Sequence, residues 1–274
     1  MPIIKKLIAF AMFLLMTFPI NAQTVREYCL IGHRGAASDA PENTLASIDR
    51  ALEWGVDAIE IDVHLTSDGA VVLMHDRTLN RTTNGKGKVK RHTLQEILNL
   101  DAGSWFSEKF NGEKVPTLDA VIERIAGRCT LLIEVKEHSG YSPGVEKAVA
   151  ESIRKHNASA WCKVISLKHK VIRNFHSDHP DILLQRSYVG KVPLLPIYIS
   201  NFLTFRGMKN YPYVEAFNMN KSFIFKRVLR KAERLGKKIH AWTDDDPNHA
   251  QKLIKKGVHG IITNDPGGHI KAAH

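Results

Sequence analysis

The sequence predicts an α/β protein, a (β/α)8 TIM barrel with a small insertion after its second strand. Two observations carry this. Eight short apolar runs alternate with amphipathic helical patterns over about 250 residues, the rhythm of a parallel barrel. Residues able to do chemistry fall at the C-terminal ends of those runs, which a barrel gathers at one mouth. A doubly wound open sheet is the alternative arrangement of the same alternation.

Along the chain, the first strand is expected at residues 28–32, ending just before His33-Arg34-Gly35. A helix follows over residues 44–54, capped by Asn43, with Leu45, Ile48, Ala51 and Leu52 on one face. The second strand, residues 58–63, alternates Ile59, Ile61 and Val63 with Glu60 and Asp62, so the two acids share one face and the apolar residues the other. Further strands are expected at 130–135, 163–167, 182–189, 214–218, 238–242 and 260–262. Helical patterns lie between them at 118–125, 144–156, 168–176, 223–235 and 248–256. Residues 64–116 break the rhythm with a Ser67-Asp68-Gly69 turn, a return strand at 70–74, an Asn84-Gly85 turn and a short helical pattern at 94–100. The insertion proper spans about 77–116, on the face where a barrel places its chemistry.

Glu60 and Asp62 project together, and Glu134 ends the third apolar run, beside them if the two strands are neighbours. Three clustered carboxylates repel, at about 4 kcal/mol per pair at 4 Å and an effective dielectric near 20. They either take up protons or hold a cation, and a divalent metal is the expectation. Alone, Glu60 and Asp62 would suit an exposed edge strand. Their apolar neighbours instead place them inside a closed barrel, where unpaired acids are rarely tolerated. The other polar strand ends are His33-Arg34, Lys136 and Trp242-Thr243, and His75-Asp76 closes the return strand. Twelve of the fourteen histidines, including His64, His138 and His169, are read as structural.

Seven segments, in order, resemble the glycerophosphodiester phosphodiesterase family: Ile31-Gly32-His33-Arg34-Gly35-Ala36, Pro41-Glu42-Asn43-Thr44, Ile59-Glu60-Ile61-Asp62-Val63, Thr66-Ser67-Asp68-Gly69, Met74-His75-Asp76, Ile133-Glu134-Val135-Lys136 and Ile261-Ile262-Thr263-Asn264-Asp265-Pro266. Single tripeptides are weak, but seven in register are specific. The resemblance implies metal-dependent hydrolysis of glycerophosphodiesters to sn-glycerol 3-phosphate and an alcohol. It implies His33 and His75 as general acid and base, in an order the sequence leaves open, with water or the glycerol 2-hydroxyl as nucleophile. It implies one divalent ion on Glu60, Asp62 and Glu134. All-oxygen ligands favour Ca²⁺ or Mg²⁺. Arg34 and Lys136 are expected to contact phosphate, and Trp242 to lie against the glycerol or a choline head. Glu42 is expected to support the site from ahead of the first helix. His64 and Leu167 depart from the family's usual pattern and bear on substrate preference.

Two rivals follow. A related barrel phospholipase acting on intact lipids would use an apolar rim such as Phe202, Phe205, Tyr211 and Tyr213. A catalytically inactive phosphate- or lipid-binding module would lack a histidine or an acid of the five, and all are present. A barrel amidohydrolase would need two metal-binding histidines on the first strand, which offers only His33.

Residues 1–22 read as an export signal, with Lys5 and Lys6 ahead of an apolar stretch and Ile20-Asn21-Ala22 at its end. The expected mature chain, residues 23–274, is one domain, exported to a periplasm or medium, with no stable membrane insertion. Its net charge falls from +11 to +9, because two lysines leave and no acid does. The basic residues are dispersed and not interleaved with aromatics, which argues against nucleic acid and leaves a small-molecule diester as partner. The oligomeric state is left open. Three cysteines exclude a disulfide framework. Cys129 and Cys162 suit buried free thiols better than a bridge at the foot of two neighbouring strands.

Overall fold

The structure is a computed structural model that describes residues 26–136, 144–188 and 206–273. The expected export segment, His138, Phe202 and Phe205 lie outside the described residues. The strands are β1 (Cys29–His33), β2 (Ala58–Leu65), β3 (Val71–Leu73), β4 (Thr130–Val135), β5 (Cys162–Ser166), β6 (Leu183–Tyr188), β7 (Ala216–Asn220), β8 (Lys238–Trp242) and β9 (Gly260–Thr263). The helices are α1 (Leu45–Glu53), α2 (Leu94–Leu98), α3 (Leu118–Ile125), α4 (Val145–Lys155), α5 (His169–Asp178), α6 (Lys226–Arg234), α7 (Pro247–Lys255) and α8 (Pro266–Ala272). β1 pairs in parallel with both β2 and β9, and the remaining pairs run through β8, β7, β6, β5 and β4 back to β2. The sheet is therefore a closed eight-stranded parallel barrel, not an open doubly wound one. No helix among the described residues is long and apolar enough to cross a membrane.

Period-two alternation sorts β2 onto two faces. Ile59, Ile61 and Val63 join Leu131, Ile133 and Val135 of β4, together with Ile48, Ala51, Val121 and Ile122 of the helices, in one core between barrel and helix layer. Each fully buried isoleucine there contributes about 1.5–3 kcal/mol. Ala58, by contrast, faces the barrel interior, where it packs with Ile31, Leu132, Ile165 and Ile262. Glu60 and Asp62 continue that inward face toward the mouth.

β3 pairs antiparallel with β2 outside the ring, with Val63 opposite Leu73. The insertion folds behind it around its own small core of Val72, Met74, Leu79, Val89, Ile97, Ala102 and Val115. The Met74 amide donates to the Asp62 carbonyl at 3.0 Å, which brings His75 back over the mouth.

Three sequence expectations need correction. Thr44, not Asn43, caps α1: its hydroxyl accepts from the Ser47 amide while the Ser47 side chain accepts from the Thr44 amide. Residues after 262 carry a helix the sequence reading omits. Asp265 caps it through the Gly268 amide, Pro266 occupies its first turn, and Gly267 lets Trp54 approach to 2.6 Å of where a Cβ would stand. The helix expected over 223–235 begins only at Lys226, after a 3-10 turn at Lys221–Phe223. Cys129 and Cys162 are buried free thiols, pushed up to about 11 and about 12 by burial.

Candidate active site

β2 and β4 pair so that Asp62 stands opposite Glu134, with Glu60 two residues earlier on the same face as Asp62. Glu60, Asp62 and Glu134 each offer a carboxylate oxygen within 4.8 Å of the others. They are 3%, 0% and 9% exposed, so water screens them little. Burial pushes the Glu60 carboxyl well above the usual range, reinforced by the negative charges of Asp62 and Glu134. Burial likewise raises Glu134, aided by Asp62 and opposed by Lys136. Asp62 goes the other way: against its burial, Lys136 and Arg34 hold it ionised and well below the usual range.

Lys136 lies 2.9 Å from Asp62 Oδ1 and 2.7 Å from Glu134 Oε2. Arg34 Nε is 3.3 Å from Asp62 Oδ2, and its Nη1 is 2.8 Å from Glu42 Oε1. One lysine and a shared arginine thus face three buried acids, leaving negative charge in excess. Asp62 Oδ1 is fully buried and accepts no properly aligned hydrogen bond. An all-oxygen donor set of three buried carboxylates, one with an oxygen whose only partner is the Lys136 ammonium, fits a hard divalent cation.

The loop after β1 is bent to serve this cluster. Arg34 and Asn43 have left-handed φ of 54° and 57°, a cost of order 1–3 kcal/mol each that persists only where surroundings enforce it. The Asn43 amide donates to the Arg34 carbonyl at 3.0 Å, and the Arg34 amide donates to Glu60 Oε2 at 3.1 Å. Asn43 Nδ2 donates to Asp62 Oδ2 at 2.9 Å, and the Asp62 amide returns a bond to Asn43 Oδ1 at 3.0 Å. Gly35, at φ 88°, lies so close to α1 that a Cβ would meet Ser47 atoms at 2.4–2.6 Å.

His33 and His75 line one cavity of about 160 Å³ with Arg34, Glu60, Glu134, Lys136 and Trp242. His33 Nδ1 lies 2.6 Å from Asn264 Oδ1, and Nε2 lies 3.8 Å from Glu60. Burial, helped by Arg34, pulls the His33 ring down to about 4. His75 Nδ1 lies 2.8 Å from Asp76, whose carboxylate Arg81 clamps at 2.8 Å and holds at about 2. Burial lowers His75 as well, with Lys136 and Arg34 adding to it and Asp62 opposing. Arg81 also binds both oxygens of Glu42 at 2.8 Å, so Glu42 ties Arg34 to the His75 support. A larger cavity of about 620 Å³ opens at the other end of the barrel, where Arg26 pairs with Asp57 and Lys163 with Glu215. That is the face a barrel uses for stability.

All eight residues singled out from the sequence therefore converge on one mouth. Lys136 bridges two acids there, where the sequence alone left a simple pair with Glu134 open. The sequence missed Asn43 as a partner of Asp62, Arg81 as the clamp on Asp76, and the Asn264-Asp245 pair behind His33. Asn264 lies in a quoted motif, so its signal was present. Arg81 reaches Glu42 across 39 positions, and no local pattern reports that.

Residues 33–268 match the family described as the Glycerophosphoryl diester phosphodiesterase family. The chain is 38% identical over 239 residues to a glycerophosphodiester phosphodiesterase of Caldanaerobacter subterraneus subsp. tengcongensis, covering 86% of this chain and 94% of that one. It is 30% identical over 252 residues to a glycerophosphodiester phosphodiesterase of Bacillus subtilis, covering 86% and 83%. Among solved structures, a phosphodiesterase of Oleispira antarctica in complex with the product sn-glycerol-3-phosphate superposes with a TM-score of 0.79 at 28% identity, covering 89% of this chain and 96% of that one. A glycerophosphodiester phosphodiesterase of Agrobacterium tumefaciens superposes with a TM-score of 0.73 at 28% identity, covering 89% and 99%.

Proposed function

The chain belongs to the glycerophosphoryl diester phosphodiesterase family, and from that premise we propose that it hydrolyses glycerophosphodiesters to sn-glycerol 3-phosphate and an alcohol, using a divalent metal and two histidines. The observation that carries the reading is the small cavity lined by both imidazoles, Glu60, Glu134, Arg34 and Lys136, with Asp62 clustered against the two glutamates behind it. Glu60, Asp62 and Glu134 would hold the ion, Ca²⁺ or Mg²⁺. When bound, it would supply positive charge to the phosphoryl oxygens.

The protein's own groups do the rest. Arg34 and Lys136 line the cavity and offset charge on the phosphoryl group, the main demand of phosphoryl transfer. His33 is backed by a neutral amide, which suits a neutral ring able to take the proton of the attacking hydroxyl. His75 is backed by a carboxylate, which suits an imidazolium able to give a proton to the departing alkoxide. Trp242 offers its ring to the glycerol or a cationic head group, a contact worth up to about 2 kcal/mol for choline. A cavity of about 160 Å³ among charged side chains favours a water-soluble diester over an intact lipid. Residues 1–22 act as an export signal in this reading, and N-terminal sequencing of the mature protein should begin near Gln23.

Leaving-group dependence tests the roles. For glycerophosphocholine, His75→Ala should lose at least about 10²-fold in turnover. With a p-nitrophenyl diester, whose leaving oxygen needs no proton, that loss should shrink to less than about 10-fold. His33→Ala should lose the same factor with both. Equal losses for His75→Ala on both substrates would remove it as the acid.

A further inference from the structure

We propose that Asp245 is a positioning residue that acts through Asn264 to fix which ring nitrogen of His33 carries the proton; this rests on the reading of His33 as the proton acceptor. Neither Asp245 nor Asn264 lines the cavity, and the side-chain contact that joins them to it is the one from Asn264 to His33.

Asp245 Oδ1 accepts from the Asn264 backbone amide at 2.7 Å and from the Thr263 hydroxyl at 2.8 Å. Asp245 Oδ2 lies 2.9 Å from the Asn264 side-chain amide. A carboxylate only accepts, so the atom facing it must be the Asn264 NH₂. The planar amide then turns its oxygen the other way, to 2.6 Å from His33 Nδ1. That oxygen also only accepts, so Nδ1 carries the hydrogen and Nε2 is left with a bare lone pair on the cavity side. Without Asp245 the amide is free to turn by 180°. Its NH₂ would then face Nδ1 and force the proton onto Nε2, pointing at the oxygen that has to lose one. His75 has no such dependence, because its Nδ1 meets the Asp76 carboxylate directly at 2.8 Å.

The near-isosteric change Asp245→Asn is therefore expected to invert the tautomer. The Asn264 backbone N–H cannot turn away, so the new side-chain oxygen stays on it and the new NH₂ faces Asn264. Asn264 must then present its oxygen to residue 245 and its NH₂ to His33. The double variant Asp245→Asn/Asn264→Asp reverses this, since a carboxylate at 264 accepts from both neighbours.

The experiment reads the His33 ring by ¹⁵N-resolved NMR of the free protein, alongside kcat and KM for glycerophosphocholine. The wild type should show Nδ1–H. Asp245→Asn should show Nε2–H, with kcat lowered at least about 10-fold and KM within about 2-fold, a wrong tautomer on a catalytic histidine costing up to about 10⁴-fold. The double variant should restore Nδ1–H and most of kcat. A ring that stays Nδ1–H in Asp245→Asn, or a double variant no better than the single, would overturn the proposal. Tautomer inversion with kcat unchanged would instead overturn His33 as the proton acceptor, and with it the functional half of the proposal.

Discussion

Asp62 is the pivot of the site. It is 0% exposed, takes a side-chain bond from Asn43 and lies within 3.3 Å of both Arg34 and Lys136. Removing Asn43 leaves part of that carboxylate and its own amide unpartnered. Asn43→Ala should therefore cost about 1–3 kcal/mol in urea unfolding, the range for an orphaned buried polar group, and should lower turnover as well. His33→Ala and His75→Ala should keep the wild-type melting temperature within a few degrees yet lose at least about 10²-fold in turnover. Near-normal turnover in either would remove that histidine from the chemistry. The acids were legible because period-two alternation is local: Ile59, Ile61 and Val63 declare which way Glu60 and Asp62 point. The partners of Asn43 and Asn264 were not, although both residues stand in quoted motifs, because Asp62 and His33 come from distant segments and an Asn ahead of a helix looks like an ordinary cap.

Each helix and strand shows the same division between local and distant causes. α3 matches its expected range residue for residue, because Thr117 caps it and Leu118, Val121, Ile122 and Ile125 mark a clean apolar stripe. α1 was found but its cap misassigned, since the reciprocal partner of Thr44 is Ser47 and not the Glu or Gln that usually completes this motif. Thr44→Ala should lower stability by about 1 kcal/mol in the same unfolding assay. α8 carries no clear apolar stripe and holds two adjacent glycines, poor helix formers, yet Gly267 is what allows the helix to pack against Trp54. β6 starts one residue later than expected and β7 is shifted by two, within the fraying that apolar runs without turn signals allow.

At the level of the closed barrel, one inner residue links packing to pH. His240 is 5% exposed inside the barrel, bonded through Nδ1 to Asn218 at 3.0 Å, and burial drags it down to about 4. Between pH 6.5 and 4 the unfolded chain holds a proton there that the folded chain does not. Stability contributed by the neutral ring is thus full above pH 6.5 and falls as pH drops toward 4, by up to about 1.4 kcal/mol per pH unit. His240→Gln should flatten that slope in unfolding free energy measured across this window, although His33 adds a share of its own that persists. Barrel closure was legible from alternation and length. The Asp76-Arg81-Glu42-Arg34 network was not, because it joins the insertion to the first loop only once the ring has closed.

In the proposed reading, a dication on Glu60, Asp62 and Glu134 completes the site as a catalyst. The decisive measurement is release of glycerol 3-phosphate from glycerophosphocholine by the protein before EDTA treatment, after it, and after Ca²⁺ or Mg²⁺ is restored. Activity should vanish on chelation and return with one of the two ions, and Asp62→Asn should not recover with either. Undiminished release after chelation, or no glycerol 3-phosphate under any condition, would contradict it.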